Sequence, residues 1–283
     1  MTMTLANLFL DFRLRRMGFS KHLEIMSDCQ INSYFKAAPA VGPALPLLVL
    51  VHGLSANAGH YHEVVGPLSR AGHPVLLFDL PGHGQSSDLA HTLTPESLYQ
   101  AFKKFMDAKL PERPIVIGNS LGGALSWRYS SENPDRVAGL ILLSPGVGFE
   151  NADSWAALQS FLDISSHKKA RAMLRRTFYR PPFYVPLLSS SVIQAFRRKG
   201  VQELLAHSSL SALRFPGELS LYPGKTLLIW GKQDFFLPRE NIENIKKIIS
   251  PNVQVEEPEG VSHCPQFDQP KRLAQRISDF ARG

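Results

Sequence analysis

Short, almost purely apolar runs recur along the chain, and each is closed by a turn. Residues 45–51 end at His52-Gly53, 74–80 at Pro81-Gly82, 114–117 at Gly118, 137–143 at Ser144-Pro145-Gly146, and 226–230 at Gly231. Runs of this length and composition predict strands buried on both faces. Between them, residues 61–70, 95–108 and 121–131 place apolar side chains at helical spacing. Strand and helix in alternation predict a parallel sheet with right-handed crossovers. Residues 23–25 and 31–35 predict an antiparallel opening hairpin, 253–256 a short late strand, and 269–281 a closing helix. From residue 148 to 215 the rhythm changes to helices separated by Pro181-Pro182 and Pro186 with no strand. The expectation is an α/β chain with a mostly parallel central sheet flanked by helices. Its core covers 21–147 and 216–283, a helical lid covers 148–215, and an N-terminal amphipathic segment covers 1–20.

One turn between a strand and a helix carries chemistry. Gly118-Asn119-Ser120-Leu121-Gly122 fits G-x-S-x-G in the required context, where a strained turn holds the serine clear of the sheet edge and the flanking glycines avoid collision with neighbouring backbone. Ser120 is the candidate nucleophile. The backbone N–H of Leu121, at the helix N-terminus, is one candidate oxyanion donor, and that of Leu54, after His52-Gly53, is the second. A serine hydroxyl needs a base, and the base needs a carboxylate to fix its tautomer. Asp234, just after the 226–230 run, and His263, after the late strand, follow Ser120 in the order Ser, Asp, His expected of such a sheet. Glu150 and Asp153 are fallback carboxylates. His52, His60, His62, His73 and His83 show no ligand spacing, so no metal and no cofactor is expected, and His52 is read as structural.

These motifs, together with Asp79-Leu80-Pro81-Gly82-His83-Gly84-Gln85-Ser86, make nearly the whole chain resemble the α/β-hydrolase family. The resemblance implies a serine hydrolase working through an acyl-enzyme on Ser120. Serine at the elbow sets the chain apart from the dehalogenase and epoxide hydrolase branches, which use aspartate. The stretch from His52 to Ser86, with Ala138 to Pro145, is similar to monoacylglycerol lipases and lysophospholipases, which implies esters of medium or long acyl chains. Two alternatives stay open. One is a carbon–carbon bond hydrolase of aromatic degradation, whose usual Trp after the histidine and Ser-Gly-Pro-Gly stretch are here Cys264 and Ser55-Ala56-Asn57-Ala58. The other is a methyl esterase acting on carrier-protein-bound acyl chains.

Charge adds a question of partners. The chain carries a formal net charge of +7, and residues 154–199 hold nine lysines and arginines against one acid, Asp163. On a helix over 166–179, Ala170, Met173, Leu174, Thr177 and Phe178 make an apolar stripe, leaving Lys168, Lys169, Arg171, Arg175 and Arg176 opposite. Such a face fits an anionic membrane surface, an acyl carrier protein, a small anionic substrate, or solvent alone. Nucleic acid is not expected, because the charge is confined to the lid and no nucleic-acid fold signature is present. Trp155, Phe161, Phe178, Phe183, Tyr184, Phe196 and Phe215 either line an acyl pocket or pack the lid on the core.

Hydrophobic residues at 44% and charged residues at 19% fit a globular protein, and no apolar run reaches the ~20 residues that span a bilayer. Leu5, Leu8, Phe9 and Phe12 fall at helical spacing, followed by Arg13, Arg15 and Arg16. The segment is read as a helix packed on the domain, a frayed tail, or an amphipathic helix lying on a membrane, and not as a signal peptide. Cys29 and Cys264 form no disulfide framework, which points to a reducing, cytoplasmic location, with membrane association left open.

Overall fold

A computed structural model of the chain describes residues 5–42, 44–110, 113–210, 222–251 and 253–283. Phe215 and residues 216–221, read above as part of the lid and the resumed core, lie outside them. Among the described residues, eight strands form one sheet: β1 (Ser20–Ile25), β2 (Gln30–Lys36), β3 (Leu48–Val51), β4 (Val75–Phe78), β5 (Ile115–Asn119), β6 (Gly139–Leu143), β7 (Thr226–Ile229) and β8 (Gln254–Glu256). Their spatial order is β1-β2-β4-β3-β5-β6-β7-β8. The β1–β2 and β2–β4 pairs are antiparallel and every later pair is parallel.

Side-chain alternation divides the core in two. Leu48, Leu50, Ile115, Ile117, Ile141 and Leu143 point to one face, where they meet α2 (His62–Arg70) and the closing helix Pro270–Arg282. Val49, Val51, Val116, Leu140 and Leu142 point to the other, packed with Phe102 and Phe105 of α3 (Pro95–Lys109) and with Trp127 and Tyr129 of α4 (Leu121–Glu132). The strands are shorter than their apolar runs: residues 45–47 and 137–138 lead into β3 and β6 without belonging to them. The closing helical stretch breaks at Gln269, giving Pro265–Asp268 and Pro270–Arg282, because Pro270 has no N–H to continue the first helix.

Between β6 and β7 run α5 (Ala152–Leu162), α6 (His167–Thr177), a 3₁₀ turn (Val185–Leu188), α7 (Ser189–Phe196) and α8 (Lys199–His207). Ala170, Leu174 and Thr177 of α6 are buried and its five cations are exposed, as the stripe predicts. Trp155 and Phe196 pack in the core. Phe183 and Tyr184 do not line an interior pocket: both are exposed, and the buried side chain of this segment is Val185. At the N-terminus α1 (Leu5–Arg16) forms, but its anchor is the fully buried Leu14, and Leu8, Phe9 and Phe12 face solvent.

Candidate active site

The site sits at the carboxyl ends of the central parallel strands. Ser120 links β5 to α4 with φ 54° and ψ −118°, a conformation that L-residues adopt only under strain. The two glycines follow from it. A Cβ on Gly118 would lie 2.3 Å from the carbonyl oxygen of Gly122, and one on Gly122 would lie 2.4 Å from that of Val51. The turn is fastened by Ser120 N–H to the Leu143 carbonyl at 3.0 Å and by Gly146 N–H to the Ser120 carbonyl at 2.9 Å. Gly53 lies against the serine: a Cβ there would stand 3.2 Å from that of Ser120. This puts the loop carrying Leu54 beside Ser120 and the first turn of α4, where Leu121 is an N-terminal residue whose N–H has no intrahelical acceptor.

Asp234 and His263 meet, 29 residues apart, with Nδ1 2.9 Å from Oδ2 and side-chain exposures of 5% for the imidazole and 1% for the carboxylate. The second oxygen of Asp234 accepts the N–H groups of Phe236 and Leu237 at 2.8 and 3.0 Å, so the carboxylate is aimed before any substrate arrives. The fallback carboxylates Glu150 and Asp153 do not take this place. Asn119 connects the pair to the elbow: its amide donates to the carbonyls of Leu143 and His263 at 2.9 and 3.1 Å, and its oxygen accepts from Gln266 at 3.0 Å.

Further supports were not visible in sequence. The Phe236 ring stacks on His263 with centroids 4.4 Å apart and planes 11° apart. Phe161 stands edge-on to Phe236 at 5.3 Å, and the Arg176 guanidinium lies 4.6 Å over Phe161. Asp268 bridges the histidine loop to the helical excursion by accepting Ser262 N–H at 2.8 Å and Tyr179 N–H at 2.9 Å. The Ser262 hydroxyl donates to the Arg176 carbonyl at 2.8 Å. Only the short spacing from His263 to Asp268 was available as a signal for these contacts.

The other histidines near the site are structural. His52 Nε2 accepts Leu80 N–H at 3.0 Å, so its proton sits on Nδ1, which donates to the Gly53 carbonyl at 2.8 Å. Burial pushes His52 well below the ordinary imidazole range. Burial, helped by His62, takes His60 down to about 4, and burial takes His83 to about 4. Unfolded imidazoles titrate near 6.5, so between that pH and about 4 the unfolded chain binds more protons, and stability rises with pH across the window. His60 and His83 each withdraw about 3 kcal/mol as pH falls through it. Asp79 and Asp268, pushed up mainly by burial, act with the opposite sign. The thermal midpoint is therefore expected to fall on acidification from about pH 7 to about pH 5, with a shallower decline in His83→Phe; a flat profile in the parent protein would contradict this.

Asp79 organises the turn over the site, taking Ala58 N–H and Gln85 N–H at 2.7 Å each and the Asn32 amide at 3.1 Å. From the end of α7, Arg198 donates to the carbonyls of Gly82, Gly84 and Ser86 at 2.7, 2.9 and 3.0 Å.

A family model for the alpha/beta hydrolase fold matches residues 46–270, and the chain belongs to that family. Lipase 1 of Psychrobacter immobilis is 27% identical over 248 residues, covering 82% of this chain and 76% of that one. The 2-hydroxy-6-oxo-6-phenylhexa-2,4-dienoate hydrolase of Comamonas testosteroni is 29% identical over 212 residues, covering 69% and 73%. Of another curated relative's length the chain spans 55%. Carboxylesterase CesB of Bacillus subtilis shares the fold with a TM-score of 0.76 at 18% identity, covering 98% of both chains. The relatives that the chain resembles thus include both a lipase and a dienoate hydrolase. Among the described residues, no helix is long and apolar enough to cross a membrane.

Proposed function

We propose that the chain is a serine ester hydrolase acting on medium or long acyl chains. The observation that carries the reading is Ser120 on a strained elbow, tied through Asn119 to a buried His263–Asp234 pair. His263 Nδ1 bonds Asp234, which leaves Nε2 to take the Ser120 proton as Oγ attacks the ester carbonyl. The N–H groups of Leu54 and Leu121 hold the oxyanion, the protonated imidazole releases the alcohol, and water then cleaves the acyl-enzyme by the same route. The cycle needs no metal or cofactor. The helical excursion acts as a lid, and its basic face fits an acidic partner, either an anionic membrane or a carrier protein.

The similarity to the dienoate hydrolase supports a second reading, carbon–carbon bond cleavage at the same serine. Cys264 after the histidine and Ser55-Ala56-Asn57-Ala58 after Gly53 count against it. The two separate on a p-nitrophenyl ester series of increasing acyl length run beside a 2-hydroxy-6-oxo-dienoate. Turnover is expected to peak at medium or long esters. Dienoate cleavage with no ester turnover would overturn the ester reading.

A further inference from the structure

Two apolar and basic projections border the site, and neither takes part in the chemistry above. The first is the tip at residues 180–188. Pro181, Pro182 and Pro186 stiffen it, Val185 is buried as its anchor, and Val185 N–H and Leu187 N–H close turns onto Pro182 and Tyr184 at 2.9 Å each. Phe183 is 94% exposed, Leu187 79% and Tyr184 48%. Large apolar side chains held rigidly in water mark an interaction surface. Exposed Arg180 opens the tip, exposed Arg175 and Arg176 lie at the end of α6 just before it, and Lys168, Lys169 and Arg171 lie one or two turns back on α6.

The second projection is α1. Leu8, Phe9 and Phe12 face solvent, with the guanidiniums of Arg13 and Arg16 over the two phenyl rings at 5.7 and 5.8 Å. This helix packs through Leu10 on Gly59, in the turn that follows the Leu54 loop. His60 of the same turn meets Phe267 edge-on at 5.3 Å, and Phe267 stacks on Phe178 at 5.2 Å, two residues before Arg180. The two projections are thereby joined through a chain of contacts. Along it lies a cleft of about 500 Å³ between residues 178–182 on one side and Glu259, Gly260 and residues 267–269 on the other.

We propose that this surface docks on an anionic lipid bilayer, with Phe183 and Leu187 set below the headgroups and the α1 and α6 cations at headgroup level. The inference deepens the ester reading, because it names where an acyl ester meets the enzyme. A bilayer interface is the environment that receives aromatic and aliphatic side chains beneath a layer of anions. A small acidic carrier protein would engage the cations through ion pairs and leave the proline-braced tip unused.

The test uses the full chain carrying Ser120→Ala, so that binding is read without turnover, in co-sedimentation with phosphatidylcholine vesicles containing or lacking phosphatidylglycerol. Binding is expected to be tighter by about tenfold or more with phosphatidylglycerol and to weaken with salt. Adding Phe183→Ser and Leu187→Ser is expected to weaken it about tenfold with an unchanged thermal midpoint. Equal affinity for both vesicles, no loss in the triple variant, or tighter capture of an acyl carrier protein than of vesicles would each overturn the proposal. Because the readout is binding, failure of the ester reading would leave this result intact, and the reverse holds too.

Discussion

Ser120→Ala is expected to lower kcat on the best ester by a factor on the order of 10⁶, while the thermal midpoint stays within a few degrees of the parent. The proposed acyl-enzyme route runs through the Ser120 hydroxyl, which alanine lacks. His263 and Asp234 would remain paired, but with nothing to deprotonate, and the residual rate would come from the oxyanion donors polarising a carbonyl toward water. Alanine fits the elbow, since the strained backbone already carries a Cβ there. Steady-state kinetics beside active-site labelling with a fluorophosphonate would show loss of both turnover and label. Retained turnover in the variant would remove Ser120 from the mechanism.

The second large effect is expected from Asp234→Asn, about 10⁴ in kcat with KM little changed. The wild-type carboxylate spends one oxygen on the N–H groups of Phe236 and Leu237 and the other on His263 Nδ1. An asparagine keeps its oxygen on the two main-chain donors and turns its amide N–H₂ toward Nδ1. The imidazole must then accept at Nδ1 and carry its proton on Nε2, the nitrogen that should receive the proton of Ser120. Activity of Asp234→Asn within about tenfold of the parent would show that another group orients His263.

Much of this arrangement is legible in sequence because the constraints are local. Gly118 and Gly122 flank Ser120 as the backbone contacts of the elbow require, the buried strands read as apolar runs, and Asp234 and His263 each follow such a run. The supports around Ser120, His263 and Asp234 were not legible, because their partners are distant. Asn119 reaches His263 across 144 residues and Asp268 reaches Tyr179 across 89, spans over which side-chain pairing leaves no periodic trace. Aromatic content in the helical excursion also gave no direction. Trp155 and Phe196 went inward while Phe183 went out, and in its short segment Val185 took the buried position. On α1 the spacing of Leu8, Phe9 and Phe12 gave no direction either: Leu14 is the buried residue, and the other three face solvent.

The bonds from Arg198 to the carbonyls of Gly82, Gly84 and Ser86 bear on how far this fold can be remodelled. Around them, Gly200 N–H donates to Asp88 at 3.1 Å, Leu93 N–H donates to Glu203 at 2.9 Å, and a Cβ on Gly200 would stand 2.8 Å from the Gly82 Cα. The end of the excursion is thus part of the scaffold that shapes the turn over the site, and deleting it would strip three carbonyls of their donor and expose the Gly82 backbone. Chimeras that exchange this excursion between relatives should therefore leave residues 198–207 with the host, and any graft over 152–196 must bring replacements for the contacts that Phe161, Arg176 and Tyr179 make with Phe236, Ser262 and Asp268.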